Sequence, residues 1–491
     1  MLFQRNLLLI VNCMKKIVIL LFCLKSWALF AYDFKALNED GAILYYNILQ
    51  GSDSVEFTYD ISNYPLLNKD TLYKDINLDT LKIPDYVIYD NKEYRVTALG
   101  RRCLLNLNPT IKVLVIPSTI SSIYIGKDRT SLRTTDANNA SFIWTNLQKI
   151  IIDSNNYFYK SIDGVLYTSD MKTLVAYPPL SAEDSVILPD GVEYLAPYSM
   201  SNARNIKFLE LPLSLKIMGG FCMEGIDNMR SLIVKDNVDT IAFAAIECLS
   251  LTRLTIGTGV KVVDNYFVDT DSVLSLYCRA VKPPFVRTGA GNFLNVVRTN
   301  GGVLYVPRKS INAYRQAEGW KLFGNIQPID PPIITGIDTA EISWVQNFSA
   351  TSYTWTLFLD ENHTEKFLQL NFNDKGYLIS IDFSKASPYK SKSDNTTLSD
   401  EENNRRYADY YSFTINGLSP DTEYYYTMQS FSGNVVIDED SGSFRTQQTT
   451  EVNTTDIDKT DLSIRKQIQN NSLQILLPDG RRFDALGREI K

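Results

Sequence analysis

The chain carries one histidine, His363, inside Glu361-Asn362-His363-Thr364-Glu365, a polar stretch that reads as a turn. Nucleophilic triads and imidazole-rich metal sites need a histidine set beside a nucleophile or further ligands. A lone turn histidine argues against both. Of the six cysteines, Cys103, Cys222, Cys248 and Cys278 lie far apart and no two form a Cys-x-x-Cys pair, which argues against zinc. Buried free thiols are expected at these four, with disulfides the alternative that export would permit. The acidic runs Glu401-Glu402 and Asp438-Glu439-Asp440 lack the alternating Asp/Asn loop with glycine that calcium uses, and read as solvated loops. Arg101-Arg102 is too short a basic run for nucleic acid, and a formal charge of −7 gives no general phosphate-binding surface. No catalytic set, metal or cofactor is expected, so the chain reads as a non-enzyme. Counting leaves carboxylate-pair and Ser/Lys chemistry open.

Spacing is informative elsewhere. An apolar residue, two of any type, apolar, any, apolar recurs as Ile111-Lys-Val-Leu114-Val-Ile116, Leu147-Gln-Lys-Ile150-Ile-Ile152, Ile206-Lys-Phe-Leu209-Glu-Leu211, Met229-Arg-Ser-Leu232-Ile-Val234 and Leu251-Thr-Arg-Leu254-Thr-Ile256, with a partial copy ending at Leu188. The last apolar positions are 23, 23 and 22 residues apart from Leu188 onward; the two earlier spacings are 36, which predicts insertions. A period of twenty-odd residues around L-x-x-L-x-L is the mark of a leucine-rich repeat solenoid. The last two apolar positions of each copy share one face of a strand. Proline at 117, 189 and 212 then turns the chain. A second apolar group closes each coil: Ile120 and Ile123, Val192 and Leu195, Leu215 and Ile217, Val238 and Ile241, Val260 and Val263.

These motifs resemble the BspA-type leucine-rich repeat proteins of bacterial cell surfaces. Val96-Thr97-Ala98-Leu99-Gly100 is similar to that family's VTxIG step, and Phe221 and Phe243 keep an aromatic of its return. Asp163-Gly164-Val165-Leu166-Tyr167 followed by Leu174-Val175-Ala176-Tyr177-Pro178 resembles its hairpin insertion. Leu304-Tyr305-Val306-Pro307 and Ala313-Tyr314 through Trp320 and Ile326 resemble its C-terminal cap. The resemblance spans about residues 33–329 and implies an exported surface protein of Bacteroidota.

The flanking segments complete a mainly β architecture. Lys15-Lys16, the apolar run Ile17–Leu24 and Ala28-Leu29-Phe30-Ala31 describe a signal peptide over 1–31, and Met14 makes a better start than Met1, which would make 1–13 a mis-start. Cleavage there takes the formal charge from −7 to −11. Residues 32–110 are expected to cap the solenoid and 111–329 to form it, with short parallel strands and irregular or short-helical returns. Past Pro328, Pro331 and Pro332, alternating strands over 333–446 resemble a fibronectin type III sandwich. Its corner is carried by Leu418, Pro420, Thr422 and Tyr424, and Trp344 suits its core. Residues 126–141 and 385–409 are polar insertions, and 447–461 is a linker. The tail 462–491 is a short β module, similar to a type IX sorting tail or else a plain terminal hairpin.

In each L-x-x-L-x-L the residue between the last two apolar positions faces outward: Val115, Ile151, Ile187, Glu210, Ile233 and Thr255. Four of the six are apolar, so the row is a candidate protein-binding face, unless an inserted hairpin or neighbouring domain covers it. The expected function is a secreted or cell-surface, adhesin-like binding protein that is not an integral membrane protein. Its expected partner is a protein on host matrix or a microbial surface, not nucleic acid. The alternative is an accessory glycan-binding or glycan-processing protein at the outer membrane, which a deep acidic pocket lined by aromatics would favour.

Overall fold

The computed structural model describes residues 32–58, 78–100, 103–104, 110–124, 146–264, 266–268, 273–287, 302–383 and 410–448, and the backbone of four short strands past 464. The expected signal segment, both polar insertions and most of the linker lie outside these residues.

The repeats coil. Each L-x-x-L-x-L ends in a strand of three or four residues whose apolar pair points inward. In Ser231–Val234, Leu232 and Val234 are buried and Ile233 between them is half-buried. That strand pairs in parallel with Arg253–Ile256, which pairs with Ser275–Cys278, and the buried residues align as Leu232, Leu254 and Leu276. Val303–Val306 and Ile326–Pro328 extend the same sheet. Two shorter sheets precede it: Thr80–Lys82, Val113–Ile116 and Lys149–Ile152, then Ser185–Ile187 with Phe208–Glu210. Full burial of each such aliphatic side chain stabilises by about 1.5–3 kcal/mol, and only the coils above and below supply that burial.

The returns differ from the irregular or short-helical segments expected of them. Thr173–Ala176, Tyr194–Leu195, Ile217–Met218, Thr240–Ile241, Val262–Val263 and Phe285–Val286 form a second parallel ladder. It is too narrow to alternate visibly in sequence, yet the backbone hydrogen bonds pass from coil to coil: Gly219 N–H donates to the Leu195 carbonyl, Ala242 to Met218 and Asp264 to Ile241, at 2.9–3.0 Å. Here Met218, not Ile217, is the fully buried member. Just beyond, Tyr198, Phe221, Phe243 and Tyr266 form a row of rings with centroids 5.0, 5.6 and 5.6 Å apart, the first pair stacked and the other two tilted. The described helical turns, Arg308–Ser310, Ile311–Gln316 and Trp320–Leu322, all belong to the end of the solenoid.

An aromatic plug closes that end. Tyr314 and Trp320 are fully buried; the Tyr314 hydroxyl donates to the Ala280 carbonyl at 2.8 Å and the Trp320 indole N–H to the Pro284 carbonyl at 2.7 Å. At the other end, the antiparallel strands Phe34–Leu37, Ile43–Ile48 and Ser54–Thr58 join Lys92–Leu99 and bury Tyr46 and Phe57. Cys103, Cys222, Cys248 and Cys278 are free and buried, and burial pushes the Cys248 thiol up to about 12 and the Cys278 thiol up to about 11.

Beyond the prolines, two antiparallel sheets share one core. Ile334–Thr335, Thr339–Val345 and Tyr410–Asn416 form one; Leu378–Phe383, Lys366–Asn373, Ser352–Phe358, Glu423–Ser432 and Val435–Arg445 form the other, in that order. Trp344, Trp355, Phe372 and Tyr411 pack between them. Tyr424 is buried and its hydroxyl accepts the Ser419 N–H at 2.9 Å, the corner contact expected from its spacing. His363 sits in a turn at φ 59°, stacked on Phe358. The chain ends in four antiparallel strands, Arg465–Gln469, Ser472–Leu476, Arg482–Phe483 and Glu489–Ile490.

Two outcomes follow from this packing. Replacing Tyr424 with Phe removes the acceptor of the Ser419 N–H and should lower stability by about 1 kcal/mol in denaturant unfolding. The four thiols should resist an aromatic disulfide reagent at mildly alkaline pH in the folded chain, since all four are buried, and all should react once denaturant is added.

Candidate binding face

The six residues of the expected row fall on three separate strand pairs. Val115 lies opposite Ile151, Ile187 opposite Glu210, and Ile233 opposite Thr255, each pair on adjacent parallel strands. Between Ile151 and Ile187 the ladder stops, because the inserted hairpin Tyr159–Ile162 and Val165–Thr168 approaches the Lys149–Ile152 strand. Ile150 N–H donates to the Gly164 carbonyl at 2.9 Å. Gly164 holds φ +85° there, and a Cβ on it would meet Lys149 Cγ at 2.8 Å, so the approach demands glycine. Between Glu210 and Ile233 the strands part again, and an ion pair spans the gap, with Lys235 Nζ 3.3 Å from Glu210 and both side chains largely out of water.

Exposure sorts the six residues. Ile187 is 69% exposed and Ile151 38%; Val115, Glu210 and Ile233 are half-buried. Thr255 is 2% exposed, which corrects its expected place on the surface. Phe208, exposed and one strand from Ile187, belongs with the apolar group. Continuing the row past Thr255 brings Tyr277 and Tyr305, whose rings stack 4.5 Å apart at 10°, with the Arg253 guanidinium 3.7 Å over Tyr277. The sequence signal for these two tyrosines was present: each stands between two inward apolar residues, Leu276 and Cys278, Leu304 and Val306. Arg253 could not be found that way, since its partner lies one coil on.

Behind this face, one turn of four successive coils carries the second domain. Loop 346–350 joins Thr339–Val345 to Ser352–Phe358, and the Tyr353 hydroxyl fixes it by donating to the Asn347 carbonyl and accepting the Asn347 N–H, both at 3.0 Å. The Arg279 guanidinium, 2% exposed, donates to the Gln346 carbonyl at 2.7 Å and lies 4.2 Å over the Phe348 ring. Asp236, in the equivalent turn two coils earlier, accepts the Thr258 N–H at 2.6 Å and the Ser349 N–H at 2.9 Å. Burial raises the Asp236 carboxyl, while those two N–H groups and the Arg279 charge oppose the rise. One coil past Arg279, Arg308 donates its N–H to Asp330 at 2.8 Å, and Lys309 pairs with Asp440 at 3.3 Å. Asp438 and Asp440 therefore sit half-buried in the strand Val435–Arg445, which corrects their reading as a solvated loop. Among the described residues, no group of metal-ligating side chains gathers.

Arg279→Met should cost about 2 kcal/mol by stranding the Gln346 carbonyl and free the two domains to move. Protease cleavage near the linker prolines Pro331 and Pro332 should then become faster while the far-ultraviolet dichroism stays unchanged.

Residues 181–279 match the family model described as a BspA type leucine-rich repeat region, in six copies. No curated protein matches the chain. Among solved structures, the pneumococcal vaccine antigen PcpA aligns with 61% of this chain and 99% of its own at 13% identity and a TM-score of 0.31. A leucine-rich repeat protein of Eubacterium ventriosum aligns with 52% of this chain and 55% of its own at 17% identity and a TM-score of 0.28. One of Bacteroides ovatus aligns with 60% of this chain and 76% of its own at 15% identity and a TM-score of 0.27. The segment 181–279, which supplies the strands from Ser185–Ile187 to Ser275–Cys278, is thus the part of this mainly β chain that is similar to the BspA-type leucine-rich repeat.

Proposed function

We propose that the protein is a non-catalytic, adhesin-like binding protein, exported to the cell surface or beyond, that grips a protein ligand on host matrix or on another microbe with the outward strand face. The observation that carries this reading is the exposed apolar pair Ile187 and Phe208 on adjacent strands, with Ile151 exposed on the preceding sheet. Exposed apolar area on a strand face is a candidate partner site. The stacked Tyr277 and Tyr305 with Arg253 add the residue types that dominate interface energetics. Export is supported by the basic and apolar segment before residue 32 and by the family resemblance of residues 181–279. Among the described residues no helix is long and apolar enough to cross a membrane.

The remaining assignments follow in the same spirit. Residues 32–110 cap the solenoid, 111–329 form it, and 333–446 are a fibronectin type III domain, a reading supported by the three- and five-stranded sheets and by the Tyr424 corner. Docked through Arg279 and Asp236, that domain serves as a spacer or second contact. The tail 462–491 fits a sorting role in a Bacteroidota bacterium. A second reading, an accessory glycan-binding protein, is favoured by the charged, aromatic cavity at the seam between the domains.

The test is a pull-down of the mature chain, from residue 32, against immobilised matrix proteins, glycans and bacterial surfaces. Ile151→Asp with Ile187→Asp should weaken capture of the protein ligand about a hundredfold without shifting the unfolding midpoint. Unchanged capture by the double variant would remove the face from the account.

A further inference from the structure

Where the last coils meet the two-sheet domain, packing leaves a cavity of about 400 Å3. Small-ligand sites commonly occupy about 300–1,000 Å3 and favour clefts between domains. Trp344, Trp355 and Tyr426 from the two-sheet domain line one side, with the Trp355 and Tyr426 rings 4.7 Å apart. Six charged residues line it as well: Arg279, Arg308 and Lys309 from the solenoid, Asp330 from the linker, and Asp438 and Asp440 from the strand Val435–Arg445. The site exists only because the domains are docked.

We propose that this cavity binds a neutral saccharide, an inference that deepens the glycan-binding reading and is independent of the outward strand face. Three cations face three carboxylates, so the lining has no net formal charge with which to select an ion. Two of the carboxylates already have partners. Asp330 accepts the Arg308 N–H at 2.8 Å with Arg308 Nε 3.8 Å away, and Asp440 lies 3.3 Å from Lys309. A charged ligand seated on either pair would have to break it and strand one member. A hydroxyl need not: it carries one donor and two lone pairs, so it can donate a hydrogen bond to a carboxylate while accepting one from the neighbouring cation. Carboxylates paired with cations beside the half-buried Tyr426 ring suit a molecule that is hydroxylated at its edge and apolar on its C–H faces. Asp438, half-buried, pairs with no cation at ion-pair distance among the described residues, so its carboxylate is open to a hydroxyl donor; burial raises its carboxyl while the nearby Lys309 charge opposes the rise.

The test is saturation-transfer NMR and calorimetric titration of the mature chain with glucose, galactose, N-acetylglucosamine, cellobiose, lactose and chitobiose. Glucuronate and glycylglycine serve as charged comparators. At least one neutral saccharide should bind about tenfold tighter than either comparator, and Asp438→Asn and Lys309→Met should each weaken it by about fivefold or more with an unchanged unfolding midpoint. Ile151→Asp with Ile187→Asp should leave saccharide binding intact, which separates this site from the protein-binding face. The proposal is overturned if no saccharide binds, if a charged comparator binds tightest, or if both cavity variants bind like the parent.

Discussion

Everything in the solenoid depends on coils that cannot bury their own interior. Leu232 and Val234 are removed from water only because Leu209 and Leu211 lie on one side and Leu254 and Ile256 on the other. Stability in such an array is carried by the contacts between neighbours, so the two ends are the places where it can fail. Both ends are closed with aromatics, Tyr314 and Trp320 at one and Tyr46 and Phe57 at the other. The hydrophobic interior divides where the hairpin enters: Leu166, Val175 and Ala176 pack with the N-terminal half, while Tyr167, Leu174 and Tyr177 pack with the C-terminal half. The hairpin thus splices two stretches of coil as well as interrupting the outward row.

The junction with the second domain uses a different physics. It is built from the turns that follow successive strands: Asp236 and Arg279 from two of them hold loop 346–350, Thr258 between them braces Asp236, and Arg308 in the next holds Asp330. Gly259 allows the coils to close up; a Cβ there would collide with the Asp236 backbone. The last coils are thus joined to the two-sheet domain by buried hydrogen bonds, in addition to the proline linker.

The inward positions were legible because they repeat: Leu114, Ile150, Leu209, Leu232 and Leu254 are all buried where the period places them. Tyr424 was legible because its partner is five residues away in the chain. The second ladder was not, because strands such as Val262–Val263 are too short to alternate and read as loop. Thr255 was misplaced because periodicity gives a residue's direction and says nothing of what packs over it. Asp438 and Asp440 read as solvated because an acidic triplet usually is; the partner of Asp440, Lys309, comes from another domain, more than a hundred residues earlier. Arg279 carried no sequence signal at all, for the same reason.

Amide hydrogen exchange on the mature chain tests the coil stack most directly. The N–H groups of Ala196, Gly219, Ala242 and Asp264 recur once per coil and each donates across to the coil before it. The account predicts that all four exchange as slowly as the amides of the wider sheet at Leu254 and Leu276, in one cooperative unit. Fast exchange at those four positions while Leu254 and Leu276 stay protected would contradict it, because the returns would then be loops draped over a single sheet.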